Sequence, residues 1–246
     1  MNIKYKVLLT FIIFIIATII GVICWYCIPT VPLTQKYELY DEYKHGHLPI
    51  KLVPKVIYIN LDKRKDRNKQ ILGELNNFSN NYLRLSATFN EIGALGCSMS
   101  HIRCLEYAIK NNLENILVLE DDFKFIRNKK EITYIINNFI NTEENWDVLL
   151  LSCNREKRSP YSKDIDRVKN SQTTSGYLVN KHYYQKLLDN YKLGYSKLKE
   201  TNNQSKYAID QYWKLLQKPD NWFVIKAGIQ RASYSDIQKA NVDYKV

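Results

Sequence analysis

Glycine and proline are scarce in this chain, at 8 and 6 residues. That scarcity excludes collagen-like and Pro/Gly-rich disordered architectures. No low-complexity tract and no internal repeat is visible, so repeat arrays are excluded as well. The 5 cysteines form no pattern: Cys24 and Cys27 lie in an apolar N-terminal run, while Cys97, Cys104 and Cys153 are scattered. This arrangement offers neither a zinc-ligand spacing nor a disulfide framework. Cys97 and Cys104 sit seven apart, a spacing that suits two buried thiols on one helix face. Acidic residues are outnumbered, 25 Asp+Glu against 36 Lys+Arg, for a formal net charge of +11. A basic excess favours polyanionic partners. Abundant Lys, Asn, Ile and Tyr, which share AT-rich codons, give a compositional account of the same charge. The basic residues are dispersed along the chain, which argues against a nucleic-acid partner.

What is present begins with a membrane-compatible run. Val7 to Ile28 carries no charge and is rich in Ile, Leu, Val and Phe. As a helix it would extend about 33 Å, enough to cross the hydrocarbon layer. A cleaved signal peptide would have a shorter apolar region followed by small residues. Here Trp25-Tyr26 occupy that place, as interfacial aromatics do. Lys4 and Lys6 precede the run, whereas Glu38, Asp41 and Glu42 are among the first charges after it. The positive-inside tendency then predicts a cytosolic tail over 1–6, a single-pass type II anchor over 7–28 and an extracytoplasmic or lumenal remainder. Four prolines between 29 and 54 read as a stem, leaving a catalytic domain over 55–240.

In that domain, Val56–Ile59, Tyr82–Ala87, Ile116–Leu119, Asp147–Leu151, Thr174–Val179 and Trp222–Ile225 read as strands. Helices are expected within 62–75 and over Ser98–Asn112, Glu131–Ile140, Lys181–Tyr191 and Tyr207–Leu216. Apolar strands alternating with helices predict an α/β fold with a mostly parallel, doubly covered sheet. Such sheets place ligands at the carboxyl ends of their strands.

Glu120-Asp121-Asp122 follows one such end. Three consecutive carboxylates repel one another unless a cation compensates. Their hard oxygens suit Mg²⁺ or Mn²⁺ bridging protein to substrate phosphates, although a solvated acidic turn has the same composition. Gly93-Ala-Leu-Gly96-Cys97 precedes the expected helix, where glycines let backbone N–H groups approach an anion; a plain turn reads the same way. Asn60-Leu-Asp62-Lys63-Arg64-Lys65-Asp66-Arg67 follows the first strand, and Arg64 and Arg67 can grip a diphosphate bidentately.

At these segments the chain resembles glycosyltransferase family 25, which includes bacterial lipooligosaccharide galactosyltransferases and procollagen galactosyltransferase domains. The matching pieces are 56–62 with Arg64 and Arg67, then 93–101, then Leu117-Val-Leu-Glu120-Asp121-Asp122. Thr173-Thr-Ser-Gly176-Tyr177, Ala208-Ile-Asp210 and 230–237 follow in the family's order. The resemblance implies a GT-A-like, Rossmann-type fold and a UDP-sugar donor, often UDP-galactose. It also implies a divalent cation and inversion at the anomeric carbon. The expected acceptor is a hydroxyl on a glycan, glycolipid or protein, a choice that the family's members do not narrow. It points to Glu120 and Asp122 for the metal, and to Asn60, Asp62, Arg64, Arg67, Gly96, Ser100 and Asp121 for the donor. Asp210 is the candidate base or acceptor ligand. His101 is a second catalytic candidate or a buried structural histidine. Tyr177 and Thr174 fall on the acceptor side. Glu-Asp-Asp departs from a strict Asp-x-Asp, so which oxygens meet the metal stays open. A metal-dependent phosphoesterase and a membrane-tethered, non-catalytic carbohydrate-binding protein are the rival readings.

Overall fold

Val56, Ile57, Leu117, Val118, Leu149 and Leu178 are buried completely. Burial on both faces of a sheet is why their strands read as unbroken apolar runs rather than alternating ones. The computed structural model describes residues 54–226, 229–234 and 241–244. In chain order the first elements are β1 (Lys55–Asn60), α1 (Lys65–Leu75), β2 (Tyr82–Ser86), α2 (Gly93–Lys110) and β3 (Asn115–Glu120). There follow β4 (Phe123–Phe125), α3 (Lys129–Thr142), β5 (Val148–Leu150), β6 (Asn154–Pro160), β7 (Ile165–Gln172) and β8 (Gly176–Asn180). The last are α4 (Tyr184–Thr201), α5 (Gln204–Tyr207), α6 (Ile209–Tyr212), α7 (Lys214–Gln217), β9 (Trp222–Ile225), β10 (Ile229–Tyr234) and β11 (Asn241–Tyr244).

Eight strands form one sheet in the order β2-β1-β3-β8-β5-β9-β7-β6, and β11-β10-β4 form a second, smaller one. Pairs β1–β2, β1–β3 and β5–β9 are parallel. Strands β8 and β7 run against their neighbours, so six of the eight strands point one way. The architecture is mixed α/β with a mostly parallel sheet, as the alternation of apolar strands and helices predicts. Ile116 and Val118 of β3 join Ile102 and Leu105 of α2 and Leu187 and Leu188 of α4 in one core layer. Leu117 and Leu119 join Ile71 and Leu75 of α1 and Ile132 and Ile136 of α3 in the other. The two-residue period of a strand thus feeds two separate cores.

Reversal of β8 shapes the functional end of the sheet. Leu119 pairs with Gly176, and the Glu120 backbone N–H donates to the Ser175 carbonyl over 2.9 Å. The carboxyl end of β3 therefore lies beside the segment that enters β8. On its other side, Asn60 at the end of β1 pairs with Ser86 at the end of β2.

Several elements depart from the sequence reading. Helix α2 starts at Gly93, not Ser98, so Ser98 and Ser100 lie inside it. Their hydroxyls bond back to the Ala94 and Gly96 carbonyls. The helix expected over Tyr207–Leu216 is three short pieces, interrupted at Ala208, whose ψ of 148° is extended. Strands β4, β6, β7, β10 and β11 carry no simple apolar run and were not anticipated. The expected anchor (7–28) and the stem as far as residue 53 lie outside the described residues. Among the described residues, no helix is long and apolar enough to cross a membrane.

Candidate active site

The acidic triplet splits between the two layers. Asp121, in the turn after β3, is 8% exposed. Its Oδ2 accepts from Asn60 Nδ2 at 2.6 Å and its Oδ1 from Arg67 Nη1 at 3.2 Å. The same Arg67 Nη1 stands 3.7 Å from Asp122 Oδ2. Asn60 is held in turn by Arg84, whose Nε and Nη2 donate to Asn60 Oδ1 at 3.1 and 2.9 Å. Arg84 also meets Asp62 Oδ1 at 2.6 Å, and Ser86 Oγ donates to Asp62 Oδ2 at 2.8 Å. Those hydrogen bonds hold the Asp62 carboxyl below its usual range, with Arg84 contributing most. Burial pushes Asp121 up, against the hydrogen bond from Asn60 and the charge of Arg67.

Glu120 faces the other way. As the last residue of β3 it shares the face of Ile116 and Val118, toward α2. Thr174 Oγ1 donates to Glu120 Oε1. His101 Nε2 stands 3.4 Å from the same oxygen. His101 is 1% exposed, and its Nδ1 pairs with the Tyr177 hydroxyl at 2.7 Å.

Asp210 arrives from the first turn of α6. Its Oδ2 accepts from the Thr173 backbone N–H at 3.2 Å, and its Oδ1 from Gln211 Nε2, also at 3.2 Å. Burial raises the Asp210 pKa, Glu120 adds a smaller repulsive push, and Lys214 opposes both. Thr173 itself has φ 95°, whereas the other positive-φ residues outside glycine among the described residues are all asparagines. A β-branched residue in that region is strained. Adjacent residues of one strained segment thus bind two carboxylates, Thr173 to Asp210 and Thr174 to Glu120.

Some expected site residues are elsewhere. Gly96 is buried inside α2, where an added Cβ would meet the Thr88 carbonyl at 2.5 Å and the Asn90 nitrogen at 3.2 Å. Close backbone approach, not phosphate binding, explains that glycine. Ser100 is 1% exposed and accepts from the Thr88 N–H at 2.9 Å, which pins the same loop. Both are packed against the loop that precedes the helix. Tyr177 is completely buried, edge-on to Trp213, and its hydroxyl pairs with His101 Nδ1. It supports the site from the core rather than lining the acceptor side. Arg64 forms a two-point pair with neighbouring Asp66 at 2.9 and 2.6 Å. Asn60, 1% exposed, orients Asp121. Sequence reasoning missed Arg84, Thr173, Gln211 and Lys214. Only the β1–β2 register, which sets Tyr58 opposite Arg84, brings Arg84 to the site.

The donor set suits a hard divalent cation. Glu120, Asp121 and Asp122 bring carboxylate oxygens to one strand end. His101 Nε2 is buried without a hydrogen bond, and burial raises the Asp121 carboxyl despite Asn60 and Arg67. Both observations fit a site completed by a cation.

The model of glycosyltransferase family 25 (LPS biosynthesis protein) matches residues 69–213. Human procollagen galactosyltransferase 2 is 28% identical over 103 residues, which are 39% of this chain and 16% of that protein. Zebrafish (Danio rerio) procollagen galactosyltransferase 1 is 26% identical over 103 residues, 39% of this chain and 17% of that one. This chain therefore matches about a sixth of those relatives' length. Among solved structures, a glycosyltransferase involved in glycosylation of the major capsid of PBCV-1 gives TM-score 0.42 at 15% identity, covering 69% of this chain and 79% of that one. A197 from STIV gives 0.45 at 10% identity, covering 78% and 94%. At such scores these two likenesses carry no functional weight.

Proposed function

We infer, from the premise that this chain belongs to glycosyltransferase family 25, that it moves a hexose from a UDP-sugar to an acceptor hydroxyl with inversion. Galactose is the preferred sugar, and the acceptor is a glycan, glycolipid or protein. The observation that carries this reading is the convergence of Glu120 and Asp210, from separate elements, on Thr173-Thr174. We assign the sheet to the GT-A-like, Rossmann-type class on the same basis. A type II anchor over 7–28, with the domain on the extracytoplasmic side, belongs to the same proposal. Protease protection of membrane vesicles tests it.

In this reading Asp210 takes the acceptor proton. The acceptor O–H breaks as its oxygen bonds the anomeric carbon, and the bond from that carbon to the diphosphate breaks on the opposite face. Burial supports this role, because a carboxylate with a raised pKa is a stronger base. The Thr173 N–H and Gln211 amide fix its orientation. Arg67 supplies positive charge at the carboxyl ends of β1 and β3, where the diphosphate is expected. Asp62 and Arg84 border the same end. A bound Mg²⁺ or Mn²⁺, held by Glu120 and Asp122, would neutralise charge growing on the leaving diphosphate.

The test uses the full chain with a panel of nucleotide sugars and candidate acceptors. UDP release should depend on Mn²⁺ or Mg²⁺ and stop in chelator. Asp122→Ala should lose about 10²–10³ of turnover with an unchanged circular dichroism spectrum. Undiminished turnover in chelator would remove the metal. Absence of release from every nucleotide sugar would remove the transfer reaction.

A further inference from the structure

Cys97 and His101 stand one helical turn apart on α2, and Glu120 ends β3 against that face. One ligand atom from each — a thiol sulfur, an imidazole nitrogen and a carboxylate oxygen — lie within 4.8 Å of one another. His101 Nε2 is buried and makes no hydrogen bond. It points toward Glu120 Oε1, 3.4 Å away. The other ring nitrogen is engaged by the Tyr177 hydroxyl at 2.7 Å. With its proton on Nδ1, the ring offers Nε2 as a ligand, with Tyr177 as the outer partner that sets tautomer and ring plane.

A hard-cation account leaves Cys97 unused, since Mg²⁺ prefers oxygen ligands and gains little from sulfur. We propose that Cys97, His101 and Glu120 form an inhibitory site for a borderline-soft divalent cation of the zinc class. Three protein ligands with a fourth position open is a common zinc arrangement. Ligands about 2.0–2.3 Å from one tetrahedral ion lie roughly 3.5 Å apart, so the set closes on a zinc ion with side-chain movements of about 1 Å. Binding displaces the thiol proton to solvent and leaves a thiolate–metal bond. It also commits Glu120, which the catalytic proposal needs for the donor-side cation; the inhibitory consequence rests on that proposal.

Cobalt(II) is the spectroscopic probe, added to the metal-free full chain with no sugar present. One equivalent should bind and give thiolate-to-cobalt charge-transfer absorption. Cys97→Ser keeps the shape and removes the thiolate; it should abolish that band and weaken zinc binding at least tenfold, measured by competition with a chromophoric chelator. His101→Gln should weaken zinc binding as well, with folding followed by circular dichroism. At fixed Mn²⁺, the zinc concentration that halves turnover should rise at least tenfold in Cys97→Ser. No charge-transfer band, equal zinc affinity in Cys97→Ser, or equal zinc sensitivity of turnover overturns the proposal. Cobalt absorption needs no turnover, so loss of the transferase reading and loss of this site are separately visible.

Discussion

Glu120 and Asp121 are consecutive in the chain and serve opposite layers of the molecule. Glu120 ends β3 on the face of Ile116 and Val118, and its partners come from α2 and from the segment entering β8. Asp121 begins the turn, and its partners come from the end of β1 and from α1. A strand's two-residue period separates what the sequence presents as one cluster. The separation eases repulsion between neighbouring carboxylates and gives them different work. On the Asp121 side an amide and a guanidinium clamp the carboxylate, which makes an anchor. The Glu120 side holds the strained threonine, the unsatisfied histidine nitrogen and the buried Asp210.

The largest expected effect falls on the Glu120 side alone. Asp210→Asn removes the proposed proton acceptor and should lower kcat by about 10²–10⁴, with the KM for donor unchanged. In the parent enzyme, turnover should rise with pH as Asp210 loses its proton. Burial places that limb above the ordinary carboxylate range. The variant should lack the limb, as a pH–rate profile would reveal. Unchanged turnover would strip Asp210 of its role and blur the contrast between the two sides.

Arg67→Met should break the opposite side. Arg67 and Asp121 side chains are 15% and 11% exposed, and removing one partner strands the other charge. The expected loss of unfolding free energy is about 3 kcal/mol. Asp121 is already raised in the folded state, so its ionised form is the costly one. Loss of Arg67 raises it further. The penalty should therefore be full at neutral pH and shrink as pH falls through the folded-state pKa of Asp121. Urea unfolding of parent and variant at neutral and acidic pH measures it. A pH-independent penalty would mean that Arg67 contributes packing alone.

The contrast also marks how far sequence reading reaches. Strands β1, β3, β5, β8 and β9 were legible because both their faces are buried, which leaves unbroken apolar runs. Strands β6 and β7, Asn-Arg-Glu-Lys-Arg-Ser-Pro and Ile-Asp-Arg-Val-Lys-Asn-Ser-Gln, lie at the far end of the sheet, with β6 at its edge. An edge strand is free to be polar, so no apolar run announces it. At the site, the acidic triplet and Asp210 were visible as residue types. Their division between faces depends on where β3 ends and on its register with β8, which composition does not encode. Gly96 was legible as a special position, but its reason is the carbonyl of Thr88, in the loop between β2 and α2. Nothing in Thr173-Thr174-Ser175 announces a positive φ.

That backbone conformation yields the smallest and most discriminating test. Thr173 at φ 95° carries strain of roughly 1–3 kcal/mol. Glycine adopts the same φ freely, at an unfolded-state entropy cost of roughly 0.5–1 kcal/mol. Thr173→Gly should therefore raise unfolding free energy by about 1 kcal/mol. Thr173→Ala keeps a Cβ and should change it little. Activity should move the other way: the residue 173 N–H orients Asp210, so a looser backbone there should lower kcat several-fold with donor KM unchanged. Stability gained with turnover lost would identify the strain as a device of the Glu120 side, which the anchor side, with no positive-φ residue among Asn60, Arg67 and Asp121, does not share. A glycine variant that is less stable than the parent would show that Thr173 is relaxed where it sits, and that the reactive side owes its geometry to hydrogen bonds alone.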